Sequence, residues 1–347
     1  MVTSLTGIWA KGGHNSKRGY DIWAEEANSQ GGIKIGGRRY PVQLIYYDDE
    51  SKPEVGKRLI QDLLTRENFD FIFGPYSSAV TLAIAPVIER FRIPHITGSA
   101  EADQILEEGF EWTFGVLLGN ICSVRAPLKV LSKLTLGIKT IAVIGADDVF
   151  SKSIAAAFRD AALELGFRLE HYEIFSGDLK DIFPLIRKVK ERAPRVLAVG
   201  GHIDNLIDTV RTAQSLSFNP ETYVMHYGVA SQDFVNALGR SAEHILGVSQ
   251  WSPEANYKGP VFGTTEEFYD LFMDRYDREP DQIEAGCAAT GSIFQQIVEK
   301  TGVIPPLAVK EERILRDQLQ ELGFETFFGP ISFPKRVPEG RRGGDNM

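Results

Sequence analysis

Short apolar segments alternate with longer amphipathic segments along the chain, and this alternation constrains the fold more than any other feature. In the first part of the chain we predict strands at 43–47, 71–73 and 93–96 and helices at 53–66 and 81–91. Strands that are joined through helices over short links run parallel, because the helix returns the chain to the same edge of the sheet. The pattern therefore predicts a parallel sheet with helices on both faces.

The same alternation restarts near residue 138. The second set of predicted strands is 140–145, 168–175, 196–199 and 222–225, and its helices are 153–165, 183–192 and 204–215. Further helices are predicted at 264–276, 281–301 and 311–322, before two short extended pieces in 325–333. A length of 347 residues agrees with two domains. No linker rich in Pro, Gly or Ser separates them, which favours a compact hinge over a loose tether.

Composition and charge argue against several classes of protein. The chain has 38 basic and 47 acidic residues, and this acidic balance is unlike that of a nucleic-acid-binding protein. Neither a membrane-spanning apolar run nor a signal peptide is recognisable, and 1–7 resembles the end of a strand, so we expect a leader to have been removed. We expect Cys122 and Cys287 to be two buried free thiols, although a single disulfide between them stays open.

The residues that directly follow the predicted strands, here called strand exits, are rich in Gly, Ser and aromatic residues. These exits are 4–13, 74–78, 97–101, 145–150, 200–202 and 226–228. Ligands of open parallel sheets bind beyond the carboxyl ends of the strands. Glycine lets the backbone approach a ligand, while hydroxyl groups and free amides at a helix start bind anions. Ser77 and Ser78, which precede an apolar helix, are the sharpest candidates, and helix capping alone stays an alternative for them.

Motifs for catalysis are missing from the sequence. It contains no GxxxxGK[ST] phosphate loop, no GxGxxG after a strand, no HExxH and no GxSxG. The six histidines show no spacing typical of metal ligands. The sequence therefore predicts a protein that is not an enzyme and that uses no cofactor and no metal. An enzyme on a two-domain α/β scaffold stays a remote alternative, which turnover of a bound compound would support.

Blocks of sequence at and near the strand exits follow one another in a characteristic order. They are LTG at 5–7, ANSQGGI at 27–33, YDDESKP at 47–53, FGPYSS at 73–78, IP at 93–94 and TFFGPISF at 326–333. In this order and spacing they resemble the type I periplasmic solute-binding proteins of branched-chain amino acid and amide ABC importers, which include Leu/Ile/Val-binding proteins. The resemblance covers nearly the whole chain.

The resemblance implies an α/β fold of two doubly wound parallel-sheet lobes that close on a ligand like a Venus flytrap. The expected crossovers between the lobes lie near 118–122, 246–251 and 325–331. Lobe 1 is expected to contain 1–119 and 250–326, and lobe 2 to contain 120–249 and 327–347. The ligand cleft is expected between the two lobes.

The family's binding residues carry over to this chain with two departures. The hydroxyl that holds the ligand carboxylate falls on Ser78, and Glu101 stands where the family has a small Ser or Thr. The acid that holds the ligand ammonium becomes Tyr227, which weakens the case for a plain α-amino acid. The full set of expected ligand-binding residues is Trp9, Lys11, Tyr76, Ser77, Ser78, Ser99, Ala100, Glu101, Phe150, His202, Tyr227 and Trp251.

Three side chains in this region have competing interpretations. Glu101 either pairs with a cationic group or contributes only its backbone N–H while its side chain faces solvent, and we favour solvent. Glu284 is a possible cleft acid, but a solvated helix face is the favoured interpretation. For His202 a structural role and a binding role are balanced.

The function implied by the resemblance is capture of a small amino-acid-like, amide or aromatic carboxylate compound by lobe closure. The partner is then the membrane permease of an ABC importer, and the expected protein is a monomer located in the periplasm or outside the cell. Free and lipid-anchored forms both stay open. The alternative is an extracellular ligand-sensing domain of a signalling receptor, which a downstream membrane span and kinase domain in the gene would favour.

Overall fold

A computed structural model of the chain describes residues 1–67, 69–134, 137–176, 182–304, 306–307 and 309–333. The expected second lobe ended at 347, so its residues 334–347 lie outside the described part of the chain.

Helices are numbered in chain order. They are α1 Ala10–Ser29, α2 Pro53–Arg66, α3 Ser78–Phe91, α4 Asp103–Glu107, α5 Asn120–Ser123, α6 Arg125–Lys133, α7 Val149–Glu164, α8 Phe183–Glu191, α9 Ile203–Ser215, α10 Gln232–Leu238, α11 Thr265–Tyr276, α12 Gln282–Thr301 and α13 Val309–Glu321. A 3₁₀-helix at Gly239–Ala242 follows α10.

Strands are short, and most of them lie in parallel sheets. They are β1 Val2–Thr3, β2 Ile33–Ile35, β3 Arg38–Tyr40, β4 Tyr47–Asp48, β5 Ile72–Phe73, β6 His95–Thr97, β7 Thr113–Gly115, β8 Thr140–Ala146, β9 Arg168–Phe175, β10 Val196–Gly200, β11 Thr222–Met225, β12 Ile245–Leu246, β13 Lys258–Gly259, β14 Gly263–Thr264, β15 Gly323–Thr326 and β16 Gly329–Ser332.

Two groups of parallel strands, each with helices packed against it, form the framework of the protein. One sheet has five strands in the order β12-β11-β10-β8-β9, all parallel. The other group consists of the parallel pair β1-β4 and the parallel sheet β5-β6-β7. Three antiparallel pairs, β2-β3, β13-β14 and β15-β16, complete the ladders. The predicted α/β class with parallel sheets is confirmed.

Individual elements match the sequence pattern to different degrees. The predicted helix 53–66 and strands 168–175 and 222–225 coincide with α2, β9 and β11. Helix α3 begins three residues earlier than predicted, at Ser78, because Ser77 caps it through the backbone N–H of Val80. The predicted strand 43–47 is reduced to β4, since its ladder with β1 pairs only Val2 with Tyr47 and Thr3 with Asp48.

The two cysteines are both free thiols in the structure. Cys287 is buried, as expected, but the expectation of burial is wrong for Cys122, which is exposed. The single helical turn α5 buries Asn120 and Ser123, three positions apart, and so turns the residues between them outward.

Helices α1 and α12 pack so closely that a glycine is needed between them. A β-carbon on Gly19 of α1 would lie 2.3 Å from the carbonyl oxygen of Glu284 and 2.7 Å from the Cβ of Cys287. These distances are far below van der Waals contact, and backbone atoms cannot rotate away. The contact holds the start of α12 beside α1.

We predict that Gly19→Ala lowers the free energy of unfolding by about 1–3 kcal/mol, the usual cost of overpacking. Alanine gains up to about 1 kcal/mol of helix propensity over glycine, so a neutral or stabilised variant would contradict the packing argument. Gly323→Ala is the control, because a β-carbon there meets no atom within 4 Å. Urea unfolding of both variants measures the difference.

Candidate functional site

Strand exits from the two strand groups border one small cavity. Its lining residues are Tyr76, Ser77, Ser78, Ser99, Glu101, Phe150, His202, Tyr227 and Ile283. The first wall of the cavity consists of Tyr76, Ser77, Ser78, Ser99, Glu101 and Ile283, and the second wall of Phe150, His202 and Tyr227. All of them except Ile283 belong to the residues expected from the sequence.

Ser78 lies at the start of α3 with its hydroxyl proton available. Its Oγ accepts hydrogen bonds from the backbone N–H groups of Glu101 and Ala102, both at 3.3 Å. A serine hydroxyl has two acceptor lone pairs and one donor proton. Because these bonds use the lone pairs, the proton stays available for an acceptor in the cavity.

Ser99 also lines the cavity, but its hydroxyl already has partners in the protein. Ser99 Oγ donates to the carbonyl oxygen of Pro75 at 3.3 Å and accepts from Ser16 Oγ at 3.2 Å. Its neighbour Ala100 is buried in a small apolar cluster with Ala102 and Ile105 and does not line the cavity. The two serines therefore differ in what they can offer to a ligand.

His202 lies at the centre of the second wall. Its Nδ1 lies 3.1 Å from the hydroxyl oxygen of Tyr76, and its ring centroid lies 5.1 Å from that of Phe150 and 6.3 Å from that of Trp9. The buried Nε2 has no hydrogen-bond partner and lies 3.6 Å from Asp148 Oδ1, a charge contact when the ring is protonated. His202 thus joins both walls through ring contacts and one polar contact.

Asp148 lies behind this histidine and caps α7. Its carboxylate accepts from the backbone N–H of Ser151 at 3.0 Å and from Ser151 Oγ at 2.5 Å. Burial raises the pKa of Asp148, but the contact with His202 and the bonds from Ser151 outweigh it, and the net shift is downward.

Tyr227 is backed by a carboxylate that the sequence did not assign to the site. Its hydroxyl donates to Asp281 Oδ2 at 3.0 Å, and Asn15 Nδ2 donates to the same oxygen at 2.9 Å. The other oxygen of Asp281 caps α12 by accepting from the backbone N–H of Ile283 at 2.9 Å. The available signal was an acid at the first position of a predicted helix, which by itself indicates only a cap.

Glu101 is buried, so the favoured expectation that its side chain faces solvent is wrong. The residue is 2% exposed, and its carboxyl oxygens accept from Gln250 Nε2 at 2.7 Å and from Gln282 Nε2 at 3.4 Å. The strand exit lies beneath the start of α12 and the segment around Gln250, which together cover the side chain. Burial raises the pKa of Glu101 well above its ordinary 4.5.

Glu284 is also buried, so the favoured solvated helix face is wrong. Its side chain is fully buried, and Oε1 accepts from Arg18 Nε at 2.7 Å and from Arg278 Nη1. Its Oε2 accepts from the backbone N–H of Asp281 at 2.8 Å. The close approach of α1 to α12 encloses this carboxylate, which does not line the cavity.

The remaining expected residues surround the cavity without lining it. Trp9 is buried beside His202, and the Lys11 ammonium lies 3.0 Å from Asp233 Oδ2. Trp251 packs its ring against Phe268 at a centroid distance of 5.8 Å. It lines a neighbouring crevice of about 570 Å³.

Comparison with known proteins gives one consistent result. A family model described as "Periplasmic binding protein" matches residues 1–341. The chain is 26% identical over 204 residues to the Leu/Ile/Val-binding protein homolog 3 of Brucella melitensis, a match that covers 58% of this chain. The same match covers 53% of that relative, so the chain spans about half its length.

Two solved structures share the fold at low identity. The branched-chain amino acid transporter substrate binding protein LivJ from Streptococcus pneumoniae, in complex with isoleucine, has a TM-score of 0.79 and 19% identity, covering 96% of this chain and 90% of its own. An ABC transporter solute binding protein from R. palustris, in complex with benzoate, has a TM-score of 0.80 and 19% identity, covering 95% and 87%. Within the described residues, no helix combines the length and apolarity that a membrane span requires.

We predict that Glu101→Gln changes the pH dependence of stability. Because folding raises the pKa of Glu101 above 4.5, its neutral form is favoured in the folded protein, and the wild type loses stability as pH rises through the folded-state pKa. The free energy of unfolding of the variant, relative to wild type, therefore increases with pH above about 4.5. Glu243→Gln reports the effect of removing an exposed carboxyl group. Urea unfolding across pH measures this; a constant difference contradicts the prediction.

Proposed function

The chain belongs to the periplasmic binding protein family, and from this premise we propose that it is the solute-binding component of an ABC importer. The observation that carries the proposal is the cavity between the two walls, where Ser78 offers a free hydroxyl proton among aromatic rings. The protein then works in the periplasm or outside the cell and delivers its ligand to a membrane permease. Its role is binding rather than catalysis.

We propose that the two strand groups are the cores of two lobes, 1–119 with 250–326 and 120–249 with 327–333 in the described chain. The five-stranded sheet draws all its strands from between Thr140 and Leu246, and the other two parallel groups lie before Asn120. Gln250 supports a hinge at the first two crossovers, because its side-chain amide accepts from the N–H of Leu118 at 2.7 Å and donates to its carbonyl at 3.2 Å.

The proposed ligand is a small carboxylate with an apolar body. Ser78 and the start of α3 provide neutral donors for the carboxylate, and none of the described residues lining the cavity is Lys or Arg. Tyr76, Phe150 and Tyr227 provide ring surfaces for the apolar part. The two related structures hold isoleucine and benzoate. The ring-lined walls, with Tyr227 where the family has an acid, favour an aromatic carboxylate over an α-amino acid.

We predict that an aromatic carboxylate binds tightly and that Ser78→Ala weakens it by about 10- to 100-fold, the value of one hydrogen bond to a charged group. Isothermal titration calorimetry against benzoate, 3,4-dihydroxybenzoate, isoleucine and simple amides measures this. Ser99→Ala is the matched control, since its hydroxyl proton already bonds Pro75, and its affinity should stay within a few-fold of wild type.

Two results would reject this ligand class. If wild type shows no heat of binding with any compound of the panel, the proposed ligand class is wrong. If Ser78→Ala and Ser99→Ala lose affinity equally, the specific role of Ser78 is wrong. Thermal unfolding of each variant establishes that the binding losses come from folded protein.

Closure of the proposed lobes is supported by polar contacts that cross the cleft. They join Tyr76 to His202 at 3.1 Å, Asp281 to Tyr227 at 3.0 Å, Asp103 to Ser153 at 2.9 Å and Lys11 to Asp233 at 3.0 Å. Each contact pairs a residue of proposed lobe 1 with a residue of proposed lobe 2. Ligand-driven closure would form these contacts together.

We predict that Lys11→Glu shifts the protein toward the open form, because it sets like charges opposite each other at Asp233. A half-exposed pair stabilises by about 0.2–1 kcal/mol, so the open-to-closed ratio should rise by up to about fivefold. Fluorescence transfer between dyes on the two lobes reports the ratio. The swap Lys11→Glu with Asp233→Lys should restore it.

Lys152→Glu is the matched control, because its partner Asp147, at 2.7 Å, lies in the same proposed lobe. A shift of equal size in Lys152→Glu, or no recovery in the double variant, would count against closure across this pair.

A further inference from the structure

Glu101 and Ser78 meet at one point of the cavity wall. The backbone N–H of Glu101 donates to Ser78 Oγ at 3.3 Å, and both residues line the cavity. A carboxylate bound by Ser78 would therefore lie next to Glu101, and contact between the two requires that the carboxyl group of Glu101 turns toward it. Two ionised carboxylates in so small a space repel each other, and one of the two must then hold a proton.

We propose that Glu101 is a specificity-determining residue that meets the ligand carboxylate as a neutral acid and donates its proton to it in a hydrogen bond. This inference rests on the proposed function and extends it, because it makes ligand capture depend on the protonated form of Glu101. The proton is shared within the hydrogen bond, and no covalent bond forms or breaks.

The partners of Glu101 leave its proton uncommitted. Both hydrogen bonds that its carboxyl group makes in the described chain come from amide N–H donors, Gln250 Nε2 and Gln282 Nε2, so neither uses the proton. The imidazole of His226 faces it from the end of β11, with Nε2 3.9 Å from Oε2, beyond hydrogen-bond distance. His226 Nε2 instead lies 2.8 Å from Ser123 Oγ.

Charged and titratable groups near Glu101 favour its neutral form. Asp103, from the start of α4, adds a like charge, and no Lys or Arg forms an ion pair with Glu101 among the described residues. Burial lowers the pKa of His226 to about 3, so this neighbour is neutral at physiological pH and supplies no positive charge. The hydroxyl of Tyr76, on the same wall, is also neutral, because burial raises its pKa.

A neutral acid at this position selects the chemistry of the ligand. Its O–H donates a strong, charge-assisted hydrogen bond to an anionic carboxylate. A cationic ligand would instead bind best to an ionised Glu101. The two cases have opposite pH dependence: carboxylate affinity falls as Glu101 ionises in the free protein, whereas affinity for a cation rises.

The experiment is calorimetric titration of wild type and Glu101→Gln with benzoate from about pH 5 to about pH 10, at each pH in two buffers of different ionisation enthalpy. Above the pKa of Glu101 in the free protein, wild-type affinity should fall by about tenfold per pH unit, with uptake of one proton. Glu101→Gln keeps an N–H donor and should bind without pH dependence and without proton uptake.

Glu312→Gln is the matched control. Glu312 is a largely buried acid on α13 whose pKa burial raises, and it does not line the cavity. This variant should keep the pH dependence of the wild type. Loss of the dependence in Glu312→Gln, or a wild-type affinity that stays constant above the pH at which Glu101 ionises in the free protein, overturns the proposal while leaving carboxylate binding intact.

Two further measurements separate this proposal from the proposed function. In ligand-free protein at neutral pH, an infrared band of a protonated carboxyl group should be present in wild type and absent in Glu101→Gln; its absence in wild type overturns the proposal alone. The dication putrescine is the second probe. If it binds wild type more tightly as pH rises, and does not bind Glu101→Gln, then Glu101 acts as an ionised partner for a cation and the proposal is overturned. If benzoate and the rest of the carboxylate panel fail to bind at any pH, the proposed function and this inference fall together.

Discussion

The hydroxyl oxygen of Ser78 accepts hydrogen bonds from the backbone N–H groups of Glu101 and Ala102, and the geometry of the candidate site depends on these two bonds. It fixes the start of α3 against the exit of β6, so two consecutive strand exits form one surface. The buried N–H groups would otherwise be left without acceptors, which is costly. The proposed recognition of a carboxylate by Ser78 therefore relies on the same bonds that stabilise the first wall.

The buried carboxyl group of Glu101 connects this surface to the segments that join the two strand groups. Gln250 donates to Glu101 at 2.7 Å, exchanges two hydrogen bonds with the backbone of Leu118, and donates its own N–H to Gln282 at 2.9 Å. A change in the position or charge of the Glu101 carboxyl group therefore alters hydrogen bonds in both segments, the one at Leu118 and the one at Gln250. In the proposed two-lobe arrangement, ligand specificity and hinge geometry therefore depend on the same few side chains.

The sequence predicts the fold and much of the first wall, but it does not predict the burial of Glu101 and Glu284. The helix 53–66 and the cap at Ser77 follow from local pattern, because apolar spacing and an N-cap residue are properties of neighbouring positions. Glu101 and Glu284 look solvated by the same reasoning. Glu284 is buried by the packing of α12 on α1, as in the bond from Arg18 to Glu284 across 266 residues of sequence. Glu101 is buried by the start of α12 and the segment around Gln250. No local pattern encodes such contacts.

Four helices begin at the cavity, and this arrangement favours binding of the proposed carboxylate by a protein with net negative charge. The starts of α3, α7, α9 and α12 lie next to the lining residues Ser78, Phe150, His202 and Ile283. Each helix start carries a partial positive charge from its free N–H groups. Asp148 and Asp281 cap the starts of α7 and α12, and Asp204 lies in the first turn of α9, so an acid offsets part of the charge at each of these starts. Helix α3 is capped by a serine, Ser77, and has no acid in its first turn. The uncompensated start of α3 is therefore the most favourable place for a ligand carboxylate, and neutral donors beside it avoid the desolvation cost of a buried ion pair.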